Sequence, residues 1–336
     1  MVCWFSKLSA MRVRARVILS LAVCAAILGA FACGGGNDPD TPSGTAETHP
    51  PTASGTPTER ALTSLDLPVK IAVSLPIFED FVRQAAGDHA EVFSIVPPGV
   101  DPRTYEPTAE DAERIAGVLF FYVNGLGLDD HIQDWIEEHR DERSFVIPFG
   151  PNVRSPTAEG YADEAGDEAH LYLDPDLAAI YVAIVADEFT IYDEVNRAFY
   201  DERFRGEVAS LKGLANDLAG RLEAIPDQRR LIVGRSESLT HIGRRFALSI
   251  VALASDAPAT EADADTIARL TSEVSAQNVP AVFGEFGHDN SLIEEVARQG
   301  SVELCILYTD IGDETVVSYE AMTRANVDEL IRCLGE

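Results

Sequence analysis

The sequence predicts an α/β protein of two lobes, each a mostly parallel sheet with flanking helices, joined by one long rigid helix. Three observations predict it. From Val69 to Gly150 short apolar runs alternate with helical patterns, the rhythm of a parallel sheet covered on both faces. The same rhythm returns after Asp227. Between the two there is no proline from Asp176 to Ile225, and Phe199, Phe204, Val208, Leu211, Leu214 and Leu218 recur at helical spacing.

In the first lobe VKIAVSLP (Val69 to Pro76) reads as a strand, IFEDFVRQAAGD as an amphipathic helix and AEVFSIVP (Ala90 to Pro97) as a strand. AEDAERIAG then reads as a helix, VLFFYVNG as a strand, DDHIQDWIEEH as a helix and RSFVIPFG as a strand. The stretch from Asp193 to Ala224 is a helix of roughly 30 residues, a rod of about 45 Å. In the second lobe RRLIVGR, FALSIVALAS, VPAVFGE and VELCILYTD read as strands, while TIARLTSEVSAQN, SLIEEVARQG and YEAMTRANVDELIRCL read as helices. Two such lobes on one rod leave a cleft at the carboxyl ends of the strands, where sheets of this kind bind ligands.

Ahead of the lobes, basic MRVRAR, apolar VILSLAVCAAILGAF and ACGGG form an export signal, and the apolar run is short for a membrane span. Small residues before Cys33 and glycines after it resemble a bacterial lipoprotein processing site, which makes Cys33 the lipidated first residue. The stretch from Asn37 to Arg60, rich in Pro, Thr, Ser and Gly, cannot bury a core and reads as a flexible tether. The expected organisation is a leader over 1–33, a linker over 34–66, a first lobe over 67–175, a helical connection over 176–226 and a second lobe over 227–336. With 46 % hydrophobic residues the chain can bury a substantial core. Its 26 Lys and Arg against 56 Asp and Glu, a net charge of -30, exclude nucleic acid as a partner. Of five cysteines only Cys305 and Cys333 fall in the folded part. In an exported chain they are a candidate disulfide, with two buried free thiols as the alternative.

The chemistry concentrates in VPPGVDPRTYEPTAEDAERIAGVLFFYVNGLGLDDHIQDWI, AHLYLDP, RRLIVGRSESLTHIGRRFAL, AVFGEF and LYTDIGDETVVSYEAMTRANVDEL. Together these resemble the zinc- and manganese-binding solute-binding lipoproteins of ABC importers, in register over residues 67–335. The resemblance implies a monomer that holds one zinc or manganese ion between its lobes and delivers it to an ABC permease, itself held at the outer membrane face or in the periplasm by a lipid anchor. It also implies four ligand positions. A histidine of the family falls on His170 and an aspartate on Asp310, but a second histidine falls on Arg103, and a histidine or glutamate falls on Ser236, with Glu237 one place on.

A transition-metal site wants neutral imidazole or carboxylate in a closed cage. Guanidinium offers no lone pair and keeps its charge, and a neutral hydroxyl is a poor ligand. At about 4 Å and an effective dielectric near 20, an arginine opposes a dication by several kcal/mol. The expectation is a weakened site, in which Arg103 instead makes a charge-assisted bond to Asp310 and holds the lobes together without metal. His241, at helix-surface spacing, and His288, after GEF at the cleft mouth, are candidates to replace a lost ligand. His131 and His139 should face water, and His49 lies in the tether. Asp163, Glu164, Asp167 and Glu168 form a solvated acidic loop, or a metal-collecting one. Two other functions stay open: a scaffold or adhesion protein that kept the frame and lost the metal, or a binder of a small anion through Arg103 and Arg235. No catalysis is expected, because GRSES (Gly234 to Ser238) lacks the spacing of a nucleophile elbow.

Overall fold

The structure is a computed structural model that describes residues 64–153, 169–234, 237–252, 264–277, 279–312 and 314–335. The first lobe runs β1 (Val69–Val73), α1 (Pro76–Ala86), β2 (Ala90–Ser94), α2 (Ala109–Arg114), β3 (Phe120–Val123), α3 (Asp130–His139), β4 (Phe145–Pro148) and α4 (Phe149–Val153). Two long helices follow, α5 (Pro175–Tyr192) and α6 (Arg197–Leu222). The second lobe runs β5 (Leu231–Gly234), α7 (Thr240–Phe246), β6 (Ser249–Ala252), α8 (Ala264–Gln277), β7 (Ala281–Glu285), α9 (Ser291–Gly300), β8 (Glu303–Leu307) and α10 (Tyr319–Leu334).

Each lobe holds a four-stranded sheet, in the orders β2-β1-β3-β4 and β6-β5-β7-β8, and the pairings are parallel. Register is set by Ile71 opposite Val92 and Phe120 in the first sheet, and by Phe283 opposite Cys305 and Gly234 in the second. Because every strand runs the same way, both sheets open their carboxyl ends to loops that can meet in a cleft.

Each sheet is apolar on both faces, as parallel strands between helices must be. The outer face of the first packs Ala72, Phe121 and Val123 against Ile115, Ile132 and Ile136, and that of the second packs Val233 and Val282 against Leu270, Val274 and Val296. The inner faces share one continuous cluster with α5 and α6, reaching from Ile71 and Phe120 through Tyr181, Leu214 and Leu218 to Phe283 and Leu307. The lobes are therefore fused through a common core. Phe204, Leu211, Leu214 and Leu218 of α6 are buried as their spacing requires, while Phe199 and Val208 are partly buried. Cys305 in β8 and Cys333 in α10 form a disulfide with Cα atoms 6.7 Å apart.

Two features depart from expectation. His241 sits in the first turn of α7 and is buried, because the short helix turns that residue inward rather than to water. The connection contains a second long helix, α5, whose Leu177, Tyr181, Val182, Val185 and Phe189 are all buried. Such burial on most sides erases the amphipathic period that marks a surface helix.

Candidate metal site

At the end of β1 the chain enters α1 through Leu75, whose side chain makes no cap bond, and Pro76 at the first helical position. The next N–H, that of Ile77, would have no partner within its own helix. It donates to Asp310 Oδ1 across the cleft at 2.8 Å, and the N–H of Ile311 donates to the same oxygen at 2.6 Å. The second lobe thus supplies the cap that α1 lacks, with a carboxylate placed where the helix dipole favours negative charge. Burial pushes the Asp310 carboxyl up to about 7, although these two N–H groups and the charge of His288 pull the other way.

Asp310 is held in place from behind. Asn326 of α10, buried, accepts from the N–H of Tyr308 at 2.7 Å and donates to its carbonyl at 2.8 Å, fixing the end of β8. Asn290 does the same for Glu285 at the end of β7, accepting at 3.0 Å and donating at 2.8 Å. Glu285 Oε1 also accepts from Ser238 Oγ at 2.8 Å.

His170 is buried one residue after Ala169, whose carbonyl accepts from Asn124 Nδ2 at 3.0 Å. Two residues on, the hydroxyl of Tyr172 donates to the Thr309 carbonyl at 2.9 Å, a second bond between the lobes. Tyr172 and Tyr181 close around Phe78 of α1, with ring centroids 5.6 and 5.7 Å away. The same packing therefore seats the start of α1 and the stretch carrying His170.

In the loop after β2, Asp101 accepts the N–H of Arg103 on Oδ1 at 2.9 Å, and its Oδ2 lies 3.0 Å from Nδ1 of His288 in the other lobe. Burial of Asp101 opposes its charge, but the bond and charge of His288, with the N–H and guanidinium of Arg103, outweigh it and bring the carboxyl down to about 2. Main chains meet here too: Gly287 has φ +78°, and a Cβ on it would lie 2.7 Å from the Gly99 carbonyl oxygen.

These groups surround one cavity with about 10 Å³ of room for the centre of a water-sized sphere, enough for a single water or ion. His170, His288 and Asp310 line it, with Tyr172, Thr309 and Phe286 beside them. Arg103 does not: its neighbours Val100 and Pro102 face the cavity while Arg103 itself is exposed. The expected bond from Arg103 to Asp310 is not made. The turn closed by Thr104 N–H on the Asp101 carbonyl points the residue outward, and a guanidinium in water needs no partner. Glu237 is exposed too and lies outside the cavity lining, its carbonyl accepting from Thr240 N–H at 2.8 Å. Ser236, Arg235, Cys33, His49 and the acidic loop lie outside the described residues. His131 and His139 are exposed, bonded to the carbonyls of Tyr105 and Trp135.

Much of the motif around Arg103 is capping chemistry. Asp111 accepts from the Tyr105 hydroxyl at 2.7 Å and from the N–H and hydroxyl of Thr108, both at 2.8 Å, forming a capping box at the start of α2. The residues missed from sequence are Asp101, Tyr172, Asn290 and Asn326. Only Asp101 had a signal, its place two residues before Arg103.

Among the described residues, the group of three metal-type ligand atoms within 4.8 Å of one another is Glu303, Cys305 and Cys333, whose sulfurs are already bonded to each other. The cavity donors stand wider apart than a coordination shell, so an ion must draw them together.

Two fused lobes with a histidine and an aspartate facing one ion-sized cavity define a protein of the class that captures a small solute in a cleft. A family model described as zinc-uptake complex component A, periplasmic, matches residues 71–333, and the chain belongs to that family. It is 24 % identical over 282 residues to the iron ABC transporter substrate-binding lipoprotein MtsA of Streptococcus pyogenes, covering 80 % of this chain and 89 % of the relative. It is 27 % identical over 275 residues to the manganese-binding lipoprotein MntA of Halalkalibacterium halodurans, with the same coverages. The fold matches that of the periplasmic zinc binding protein TroA from Treponema pallidum with a TM-score of 0.70 and 20 % identity, over 80 % of this chain and 99 % of that one.

Proposed function

We propose that this chain is the extracytoplasmic solute-binding component of an ABC importer for a divalent metal ion of the zinc or manganese class. The observation that carries the reading is that His170, reached from the first lobe, and Asp310, at the end of the last strand of the second, line the same ion-sized cavity. The ion is cargo, and the chain catalyses no reaction. Imidazole from His170 and carboxylate from Asp310 supply its first donors; Ser236 keeps only the substituted ligand position after β5, with the exposed Glu237 one place on. The anion-binding alternative needed Arg103 inside the cleft, and Arg103 faces water.

The leader over 1–33 exports the chain, Cys33 carries the lipid, and the linker over 34–66 holds the lobes off the membrane where a permease receives the ion. The chain works as a monomer, with the first lobe over 67–175, the connection over 176–226 and the second lobe over 227–336. Full-length protein stripped with chelator and titrated with zinc and with manganese should take up one ion per chain. Failure to bind either at millimolar concentration would refute the function. Mass spectrometry of membrane fractions should find Cys33 as a lipidated amino terminus, and an unmodified mature start elsewhere would refute the anchor.

A further inference from the structure

His288 stands in none of the four ligand positions, yet it is the second imidazole of the cavity. It follows β7 in the turn Glu285 to His288, where Asn290 grips Glu285 on both main-chain sides and Gly287 touches Gly99. Its side chain is only 8 % exposed and is held by the first lobe, because Asp101 Oδ2 sits 3.0 Å from Nδ1. Asp101 is fixed in turn by the N–H of Arg103.

A histidine that gives its Nδ1–H to a carboxylate presents the lone pair of Nε2 on the opposite side of the ring. This carboxylate–imidazole arrangement fixes the tautomer and raises the basicity of metal-binding histidines. Nε2 of His288 is turned toward the cavity wall beside Asp310, 3.4 Å from Thr309 Oγ1 and 3.9 Å from Glu285 Oε2. The Thr309 contact is long enough to give way to a metal–nitrogen bond of about 2.0–2.1 Å. Two carboxylates, Asp310 and Glu285, stand near enough to favour a cation at that place.

We infer that His288 is a metal ligand of this chain, coordinating through Nε2 together with His170 and Asp310, with Asp101 as the residue that positions its ring. The inference rests on the metal-binding function proposed above and supplies the imidazole that Arg103 cannot. The donor set becomes two imidazoles and a carboxylate, a combination that suits zinc. The loss of a histidine at position 103 is then offset from the other lobe, with Asp101, two residues away, linking the two places.

The test uses full-length protein stripped of metal and titrated with zinc alone, by calorimetry with a competing chelator. His288→Ala should weaken zinc binding on the order of 100-fold or more, and Asp101→Ala about 10- to 100-fold, the usual effect of losing such a carboxylate. His288→Gln, which can still donate to Asp101, should be as weak as the alanine variant, and this separates ligation from packing should His288→Ala fold poorly. His131→Ala, on an exposed helix face, should bind like wild type. Cadmium-113 loaded into 15N-labelled wild type should show one-bond coupling to Nε2 of His288. Wild-type zinc affinity in both His288 variants, or no coupling to His288, would overturn the inference and leave the metal-binding function standing. Absence of zinc and manganese binding by the wild type would overturn both.

Discussion

Replacing Asp310 with asparagine should stabilise the metal-free protein increasingly as pH rises to alkaline values and leave it nearly unchanged only below about pH 4. Both main-chain donors, from Ile77 and Ile311, land on Oδ1, so an amide oxygen can keep both bonds while the NH2 group takes the place of Oδ2. What changes is the charge. Burial holds the folded carboxyl at about 7 against an ordinary value of 3.8. The folded state therefore grips this proton more tightly than the unfolded chain does. Its contribution to stability is complete below 3.8 and is lost as pH rises through 7. From about pH 5 to about pH 8.5 the loss integrates to about 3 kcal/mol, an upper figure because the residue keeps some contact with solvent. Asp174, raised by burial to about 6, and Glu207, raised to about 7, add slopes of the same sign. Those slopes are common to both proteins and cancel in the difference. Urea unfolding of wild type and Asp310→Asn with chelator, at several pH values across that range, measures it. A difference between the two proteins that stays constant within about 0.5 kcal/mol would refute the reasoning, since the carboxyl would then titrate as it does unfolded.

Opening the disulfide with Cys305→Ser and Cys333→Ser should cost about 3.5 kcal/mol in the chain-entropy picture for a separation of 28 residues, read from denaturant midpoints. Gly287→Ala places a methyl 2.7 Å from the Gly99 carbonyl at φ +78° and should destabilise the protein by about 1–3 kcal/mol. It should also weaken zinc binding by parting the two loops, and calorimetry of an unaffected site would contradict that. Asn326→Ala strands both the N–H and the carbonyl of Tyr308, with an expected loss of about 2–3 kcal/mol by urea unfolding.

The strands were legible because parallel sheets buried on both faces advertise themselves as unbroken apolar runs, such as LFFYV around Phe121 and VPAVF around Val282. α6 was legible from its leucine spacing, whereas α5, buried on nearly every side, left only the absence of proline to read. At the candidate site, His170 before LDP and Asp310 after the last strand were placed by the resemblance to the metal-binding family, and both line the cavity. The direction of Arg103 could not be read. Outward aim comes from a turn in which Asp101 takes the Arg103 N–H and the Thr104 N–H closes on the Asp101 carbonyl, and no periodicity encodes that. The pairing of Asp101 with His288 joins segments far apart in the chain, and only the meeting of the lobes creates it.

The missing cap of α1 has a consequence for delivery. The carboxylate that stands in for it, Asp310, is also the proposed seat of the cargo, so one side chain is shared by two equilibria, lobe against lobe and ion against protein. Thermodynamic reciprocity then requires that whatever factor the ion adds to the hold between the lobes, parting the lobes subtracts from the hold on the ion. A permease that wedges the lobes open need make no contact with the metal to release it. The loaded and empty chains would then differ in how firmly their rims are held, a mechanical difference that exists before any ion has moved.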